Sequence, residues 1–132
     1  MSTESEIIYK GLTFRISKEL NYLEVLIDEV NFNNQEKYIS SVSSMLEYAL
    51  FLHPNYIILN RECFGFIIPD RLFPFTSKNI IEPLKSDGVL RIICTGKEEE
   101  YYSRYKEIEI LEPFIKWVKS KKEAEEWIEQ QS

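Results

Sequence analysis

The sequence predicts an α/β fold in which helices pack on a mixed sheet of four to five strands. Two short apolar runs without alternation, residues 56–59 and 89–94, are typical of parallel strands that are covered on both faces. A segment of about helix length, residues 70–86, separates them. Strand, helix and strand at this spacing predict a βαβ unit with a right-handed crossover.

Two β-forming stretches near the amino terminus, residues 7–16 and 20–28, predict a β-hairpin. The polar residues 17–19 between them suit its turn. Successive side chains of a strand point to opposite sides, so Tyr22 and Glu24 share one face of the second stretch. The apolar residues that alternate with them form the other face.

The first helix has signals at both of its ends. Asn33 and Glu36 have the spacing of a capping box, which predicts the start of the helix. The helix should end at His53, because a residue that precedes a proline is steered away from helical angles. The apolar positions between these ends recur at helical spacing and are Tyr38, Ile39, Val42, Met45, Leu46, Ala49 and Leu52.

Two prolines complicate the helix predicted within residues 70–86. Pro74 is compatible with a helix only near the first turn, where its missing N–H is not needed. Pro83 is expected to kink the helix or to end it early. We therefore expect a helix here whose path is not straight.

The last third of the chain predicts two helices and one strand. Residues 97–106 suit a short helix, and residues 114–118 suit the last strand. Ser120 and Glu123 form a second capping box before an apolar stripe, which predicts a terminal helix. The predicted order of elements is β-β-α-β-α-β-α-β-α.

Length and composition indicate one cytoplasmic domain over residues 1–132, of which 1–6 are expected to be disordered. A net charge of −6 argues against nucleic-acid binding, which requires a basic surface. No apolar run is long enough to span a bilayer, and no signal segment is recognisable. The two cysteines, Cys63 and Cys94, are too few for a disulfide framework, so reduced thiols are expected.

Several segments of the sequence have the pattern of apolar and turn residues that is typical of one known superfamily. They are NYIILN, FGFIIPD, IIEPLKSDGVLRIICTG and WVKSKKEAEEWI. From about Leu20 onward the chain resembles the SpoIIAA-like superfamily, which contains the STAS domains and relatives with CRAL-TRIO lipid-binding character. Within that superfamily it is similar to a group of small bacterial STAS-like proteins. The resemblance implies a mixed sheet with helices packed on it, and a role in partner switching or small-ligand sensing.

One feature of STAS antagonists is missing from the sequence. They carry a phosphorylatable Ser or Thr at the start of the helix after the central strand. The corresponding residues here, 68–71, have no hydroxyl group, and Thr76 and Ser77 come later. This difference argues against a kinase-switched antagonist.

The sequence offers little catalytic equipment, which predicts that the protein is not an enzyme and needs no cofactor. The single histidine, His53, suits a helix end better than a catalytic role. Cys63 and Cys94 are far apart without a CxxC pair, so no metal site is predicted. The four glycines are scattered, and no phosphate-binding loop can be built from them.

The candidate binding segment, residues 61–75, follows the carboxyl end of a predicted central strand, where ligands of open α/β sheets bind. About half of its apolar side chains are expected in the core, and the others require a partner. Asp70 also suits a helix N-cap. The candidate residues of this apolar loop and its polar rim are Arg61, Glu62, Cys63, Phe64, Phe66, Asp70, Arg71 and Phe73.

Three functions remain open on these observations. The first is a non-enzymatic STAS-like regulatory or protein-interaction module that self-associates as a dimer through aromatic anchors inside a polar rim. The second is a binding protein for a small apolar or lipid-like ligand, held between the proline-containing helix and the sheet. A hydrolase that uses carboxylates ranks third, because carboxylates are plentiful.

Overall fold

The structure is a computed structural model that describes residues 4–27, 34–60, 82–86, 91–95 and 115–131. No helix in this described part is long and apolar enough to cross a membrane. The elements in chain order are β1 (Glu4–Tyr9), β2 (Leu12–Ser17), β3 (Tyr22–Leu26), α1 (Gln35–Leu52), β4 (Tyr56–Asn60), α2 (Glu82–Ser86), β5 (Arg91–Thr95), β6 (Ile115–Val118) and α3 (Lys121–Gln130).

The strands form one mixed sheet of six strands that lie side by side in chain order. The pairs β1–β2 and β2–β3 are antiparallel, whereas β3, β4, β5 and β6 run parallel. The two apolar runs of the sequence are neighbours, with Ile57 opposite Ile92 and Ile58 opposite Ile93. The prediction of an α/β fold with a mixed sheet is confirmed.

The sheet has six strands because the predicted strand over residues 7–16 is in fact a hairpin of its own. Lys10 and Gly11 both have positive φ angles, 50° and 83°, and form a two-residue turn between β1 and β2. Such a turn matches the twist of the flanking strands, and glycine adopts it without steric cost. Residues 4–6, which were expected to be disordered, belong to β1 and pair with β2.

The order of elements differs accordingly from the prediction. The described residues follow the order β-β-β-α-β-α-β-β-α, whereas β-β-α-β-α-β-α-β-α was expected. The additional strand comes from the turn at Lys10 and Gly11. The predicted helix over residues 97–106 lies outside the described residues.

Helix α1 begins one residue later than the capping box suggested. The N-cap is Asn34, which has an extended backbone and accepts a hydrogen bond at Oδ1 from the Lys37 N–H at 2.9 Å. Asn33, the predicted cap, lies outside the described residues. The helix ends at His53 as predicted, where φ is 54° and the N–H donates to the Ala49 carbonyl at 3.0 Å.

Helix α2 contains Pro83 as its second residue. The backbone stays helical from Glu82 to Ser86, so the helix does not end at the proline. A proline in a first turn is tolerated because its missing N–H has no partner within the helix. Leu84 is buried, and α2 contacts α1. Residues 70–81 of the predicted helix lie outside the described residues.

The sheet is covered on both faces where β4 lies, because Tyr56, Ile57 and Ile58 of this strand are all buried. This agrees with the prediction that the strand within residues 56–59 is covered on both faces. The structure does not describe the side chains of β5, so the same prediction for that strand is not tested. One face packs on α3 and the other on α1. The α3 side is built from Tyr22, Tyr56, Ile58, Val118, Ala124 and Ile128, and buried residues of the α1 side include Phe14, Leu23, Val25, Ile57, Val42, Met45 and Ala49.

Candidate functional site

The binding residues expected from the sequence follow directly after the last residue of β4. None of them can be assigned a position, because they lie outside the described residues: Arg61, Glu62, Cys63, Phe64, Phe66, Asp70, Arg71 and Phe73. The structure does describe Asn60, the residue that directly precedes this segment.

Asn60 lies at the carboxyl ends of the parallel strands and is fixed there by two hydrogen bonds. Its Nδ2 atom donates to Oε2 of Glu24 at 2.6 Å. Its backbone carbonyl accepts from the N–H of Ile27 at 2.8 Å. The sheet therefore holds Asn60, the residue before the predicted binding segment, in a defined place beside β3.

Glu24 is a carboxylate in the interior of the protein, with no part of the residue exposed. It stands opposite Arg15 in the β2–β3 register, and its Oε1 lies 3.6 Å from Arg15 Nη1. The same Oε1 lies 2.9 Å from Lys121 Nζ. Within the described residues Oε1 receives no hydrogen bond of regular geometry, so its charge is balanced by the nearness of two cations.

Lys121 is the first residue of α3, and the start of that helix brings it to Glu24. Ser120 is the N-cap, and its side chain accepts a hydrogen bond from the Glu123 N–H at 3.2 Å, as the capping box predicted. A cation at a helix amino terminus is disfavoured by the helix dipole. Here two carboxylates compensate for it, because Lys121 Nζ also lies 2.5 Å from Oε2 of Glu4.

Tyr22 extends this arrangement towards α3. Its hydroxyl contacts Oε2 of Glu4 and lies 3.1 Å from Oε2 of Glu125. The hydroxyl can donate only one proton, so at any moment it bonds to one of these two carboxylates. We call the whole set the charged cluster, and its members are Glu4, Arg15, Tyr22, Glu24, Asn60, Lys121 and Glu125.

The pKa values in the charged cluster follow from these contacts. Burial alone raises the pKa of Glu4, but hydrogen bonds from Lys121 and Tyr22 outweigh it and leave this pKa below the ordinary 4.5. Burial alone lowers the pKa of Lys121, yet the carboxylates of Glu4 and Glu24 raise it above 10.5. Burial and the neighbouring carboxylates both raise the pKa of Tyr22. Glu4 and Lys121 therefore stay charged near neutral pH, and the Tyr22 hydroxyl stays protonated.

The contacts of the charged cluster suit a structural role, in which it connects α3 to the strands of the sheet. Lys121 connects α3 to β3 through Glu24 and to β1 through Glu4. Asn60 connects the same carboxylate to the end of β4. A catalytic acid or base must reach a substrate, and Glu24 is closed off from solvent. The cluster thus fixes the framework from which the predicted binding segment begins.

A second feature is an apolar surface at the outer end of α1. Phe51 is 77% exposed although it is a large aromatic residue. Its ring centroid lies 6.2 Å from that of Tyr48, which lies 5.2 Å from Tyr9 on β1 and 4.8 Å from the buried Phe14. We call Tyr9, Tyr48 and Phe51 the aromatic surface. Ring contacts therefore connect the buried Phe14 with the exposed Phe51 through Tyr48.

Charged side chains border the aromatic surface. Lys10 Nζ lies 3.0 Å from Oε1 of Glu47 and 5.4 Å from the ring centre of Tyr9. The Tyr9 hydroxyl also bonds to Oε1 of Glu47. Both charged side chains are about half exposed, so their ion pair contributes little to stability. The border thus presents one cation and one carboxylate to solvent.

The other chemical candidates of the sequence have ordinary positions where they are described. His53 is the C-cap of α1, which is the structural role expected for it. Cys94 lies in β5, and Cys63 is outside the described residues. Across the described ranges no three His, Cys, Asp or Glu side chains come together as metal ligands would.

Both features were missed by the sequence analysis, for different reasons. Glu24 alternates with apolar residues, a pattern that is equally typical of a solvent-facing position. Its burial depends on α3, which lies far along the chain. Phe51 could have been found, because it falls between Ala49 and Leu52 and outside the apolar stripe of α1.

Comparison with known proteins identifies no relative of this α/β chain. No family model matches its sequence, and neither a curated protein nor a solved structure gives a significant match.

Proposed function

We propose that the chain is a non-enzymatic protein-interaction module that self-associates through the aromatic surface. The observation that carries this proposal is the 77% exposure of Phe51 at the end of a continuous series of ring contacts. Large aromatic side chains that are exposed but backed by a packed core are typical anchors of protein interfaces. Such a ring loses little conformational entropy on binding, because Tyr48 already supports it.

The border of the aromatic surface favours a second copy of the chain as the partner. A twofold interface brings the same patch of both subunits together, so it must be self-complementary. Lys10 and Glu47 supply one positive and one negative group beside the rings. A twofold arrangement can therefore exchange these ion pairs between subunits instead of leaving like charges in contact.

A STAS-like regulatory role is part of this proposal and is supported by the resemblance of the sequence. That resemblance implies a mixed sheet with helices on it, and this chain has a mixed sheet in which β3 to β6 are parallel. Modules of this kind act through contacts with partners, which is compatible with an exposed anchor such as Phe51.

The experiment that tests self-association is light scattering coupled to size-exclusion chromatography over a range of protein concentrations. We expect a dimer whose dissociation constant rises at least about tenfold in Phe51→Ser, since truncation of an aromatic anchor commonly costs 1.4 kcal/mol or more, which is about tenfold. Glu126→Ser, an exposed position on α3, is the matched control and should leave the dimer unchanged. A wild-type chain that stays monomeric at high concentration would exclude the proposal.

The predicted loop can be tested in the same assay. Phe64→Ser and Phe66→Ser should weaken the dimer if the segment after Asn60 contributes to the interface. If only Phe51→Ser weakens it, the interface is confined to the aromatic surface.

A second candidate function, binding of a small apolar or lipid-like ligand, is favoured by the position of Asn60. This residue directly precedes the predicted binding segment and lies at the carboxyl ends of the parallel strands, which is where open α/β sheets bind ligands. Native mass spectrometry of the protein purified from cells should then show the mass of the chain plus a ligand. A bare polypeptide mass would count against this function.

A further inference from the structure

The first strand offers a second and more specific contact for self-association. Within the described residues β1 pairs with β2 alone and forms the edge of the sheet. An unpaired strand edge presents N–H and carbonyl groups that can pair with another strand. The central part of this edge is open to solvent: Ser5 and Glu6 are exposed, and Ile8 is 73% exposed.

The turn between β1 and β2 determines which backbone groups point outward. A two-residue turn at Lys10 and Gly11 makes Tyr9 and Leu12 a hydrogen-bonded pair. Hydrogen-bonded and non-hydrogen-bonded pairs then alternate along the strand. The backbone groups that point away from β2 consequently belong to Glu4, Glu6 and Ile8.

The length of the ladder favours one register for an antiparallel copy. The charges near the ends of β1 do not select it, because Glu4 is held by Lys121 on the α3 side of the sheet and Lys10 by Glu47 of α1. A twofold axis at Ile7 allows residues 5–9 of one copy to pair with residues 9–5 of the other. The same axis places Glu6 opposite Ile8, and these are residues whose backbone groups point outward in both copies.

Two neighbouring registers fit less well. An axis at Glu6 would place the two Glu6 carboxylates directly opposite each other, which is destabilising. An axis at Ile8 would shorten the ladder, because Glu6 would then face Lys10, and Lys10 is in the turn with φ 50°. The axis at Ile7 avoids both problems.

The side chain of Glu6 does not prevent such pairing. Its Oε1 lies 3.4 Å from Nε of Arg15, which is its cross-strand neighbour in β2. The carboxylate therefore has a cation on its own subunit when Ile8 of a second copy lies opposite it.

We infer that two copies of the chain pair antiparallel through β1, with Ile7 opposite Ile7 at a twofold axis, and so join their sheets. This inference rests on the proposed self-association and names the surface responsible for it. Tyr9 belongs both to β1 and to the aromatic surface, so the two contacts are adjacent.

The test uses two variants of one exposed residue, Ile8→Glu and Ile8→Lys. Both remove the same apolar side chain, but only the first creates a like-charge pair with Glu6 of the other copy. The two symmetry-related pairs should raise the dissociation constant of Ile8→Glu roughly tenfold or more. Ile8→Lys should bind as tightly as the wild type or more tightly. Circular dichroism controls for folding, which should survive because Ile8 is largely exposed.

The possible results separate the inference from the function on which it rests. A monomeric wild type removes the proposed self-association itself. A dimer that is weakened equally by both variants, or by neither, overturns the β1 register and leaves self-association in place. A dimer weakened by Ile8→Glu alone supports the inference. Ile8→Glu mixed with Glu6→Lys should then restore the affinity.

Discussion

Lys121 Nζ lies 2.9 Å from Oε1 of Glu24, so the first residue of the last helix is paired with a carboxylate that is fully buried in the third strand. Residues this far apart in sequence meet only when the sheet and α3 are both in place. The pair is therefore a sensitive probe of the whole framework, and the first two predictions concern it.

Lys121→Met should lower the free energy of unfolding by about 1–3 kcal/mol, less than the cost of a wholly uncompensated buried charge, because Arg15 stays beside Glu24. Methionine retains most of the aliphatic side chain, so the effect reports the missing charge. Urea denaturation followed by circular dichroism measures it. Lys122→Met is the matched control, because this exposed neighbour should change stability by less than about 0.5 kcal/mol. Equal effects of the two substitutions would contradict the importance of the pair.

A double-mutant cycle should show that Glu24 and Lys121 stabilise each other. Glu24→Gln alone leaves Lys121 without its nearest buried carboxylate. The double variant Glu24→Gln/Lys121→Met should lose less free energy of unfolding than the two single variants together. The difference should be about 1–3 kcal/mol. Unfolding free energies of the four proteins give this coupling energy. Strict additivity would mean that the two groups act independently.

Glu4 should make the protein sensitive to acid. Its pKa in the folded protein is lower than the ordinary 4.5, so its contribution to stability is present above pH 4.5 and is lost as the pH falls through the folded pKa. Between pH 5 and pH 3 the urea midpoint of the wild type should fall more steeply than that of Glu4→Gln. Parallel curves for the two proteins would show that the contacts of Glu4 with Lys121 and Tyr22 have no energetic effect.

Asn34→Ala should destabilise the protein by about 1 kcal/mol, because Asn34 caps α1 through the Lys37 N–H. Asn33→Ala is the control, and it should lower the stability of the protein much less than Asn34→Ala does. Thermal unfolding of both variants distinguishes these positions. If Asn33→Ala proved to be the more damaging substitution, the helix would begin as the sequence pattern suggested and not at Gln35.

The sequence predicts the centre of this fold better than its edges, for physical reasons. The strands β4 and β5 could be recognised because each lies in a short continuous apolar run, a pattern that is typical of parallel strands. The turn at Lys10 could not, since a lysine with positive φ carries no sequence signal and Gly11 alone is ambiguous. The cap at Asn34 was displaced by one residue because two adjacent asparagines are equally suitable.

The charged cluster shows why the contacts of a site can escape prediction from the sequence. Alternation places Glu24 on one face of β3, but it does not reveal that the distant Lys121, together with Arg15, balances this carboxylate in the interior. Pairings over such a distance are not encoded in local patterns. The predicted binding residues from Arg61 onward remain a prediction.

The charged cluster takes side chains from positions 4, 24 and 121 and therefore has a consequence for biosynthesis. On the ribosome Arg15 and Glu24 emerge long before Lys121, so the carboxylate lacks its closer cation and β3 stays uncovered on one face until α3 has left the exit tunnel. A nascent chain stalled short of Lys121 should expose this strand to chaperones and proteases, whereas release of the last helix closes it.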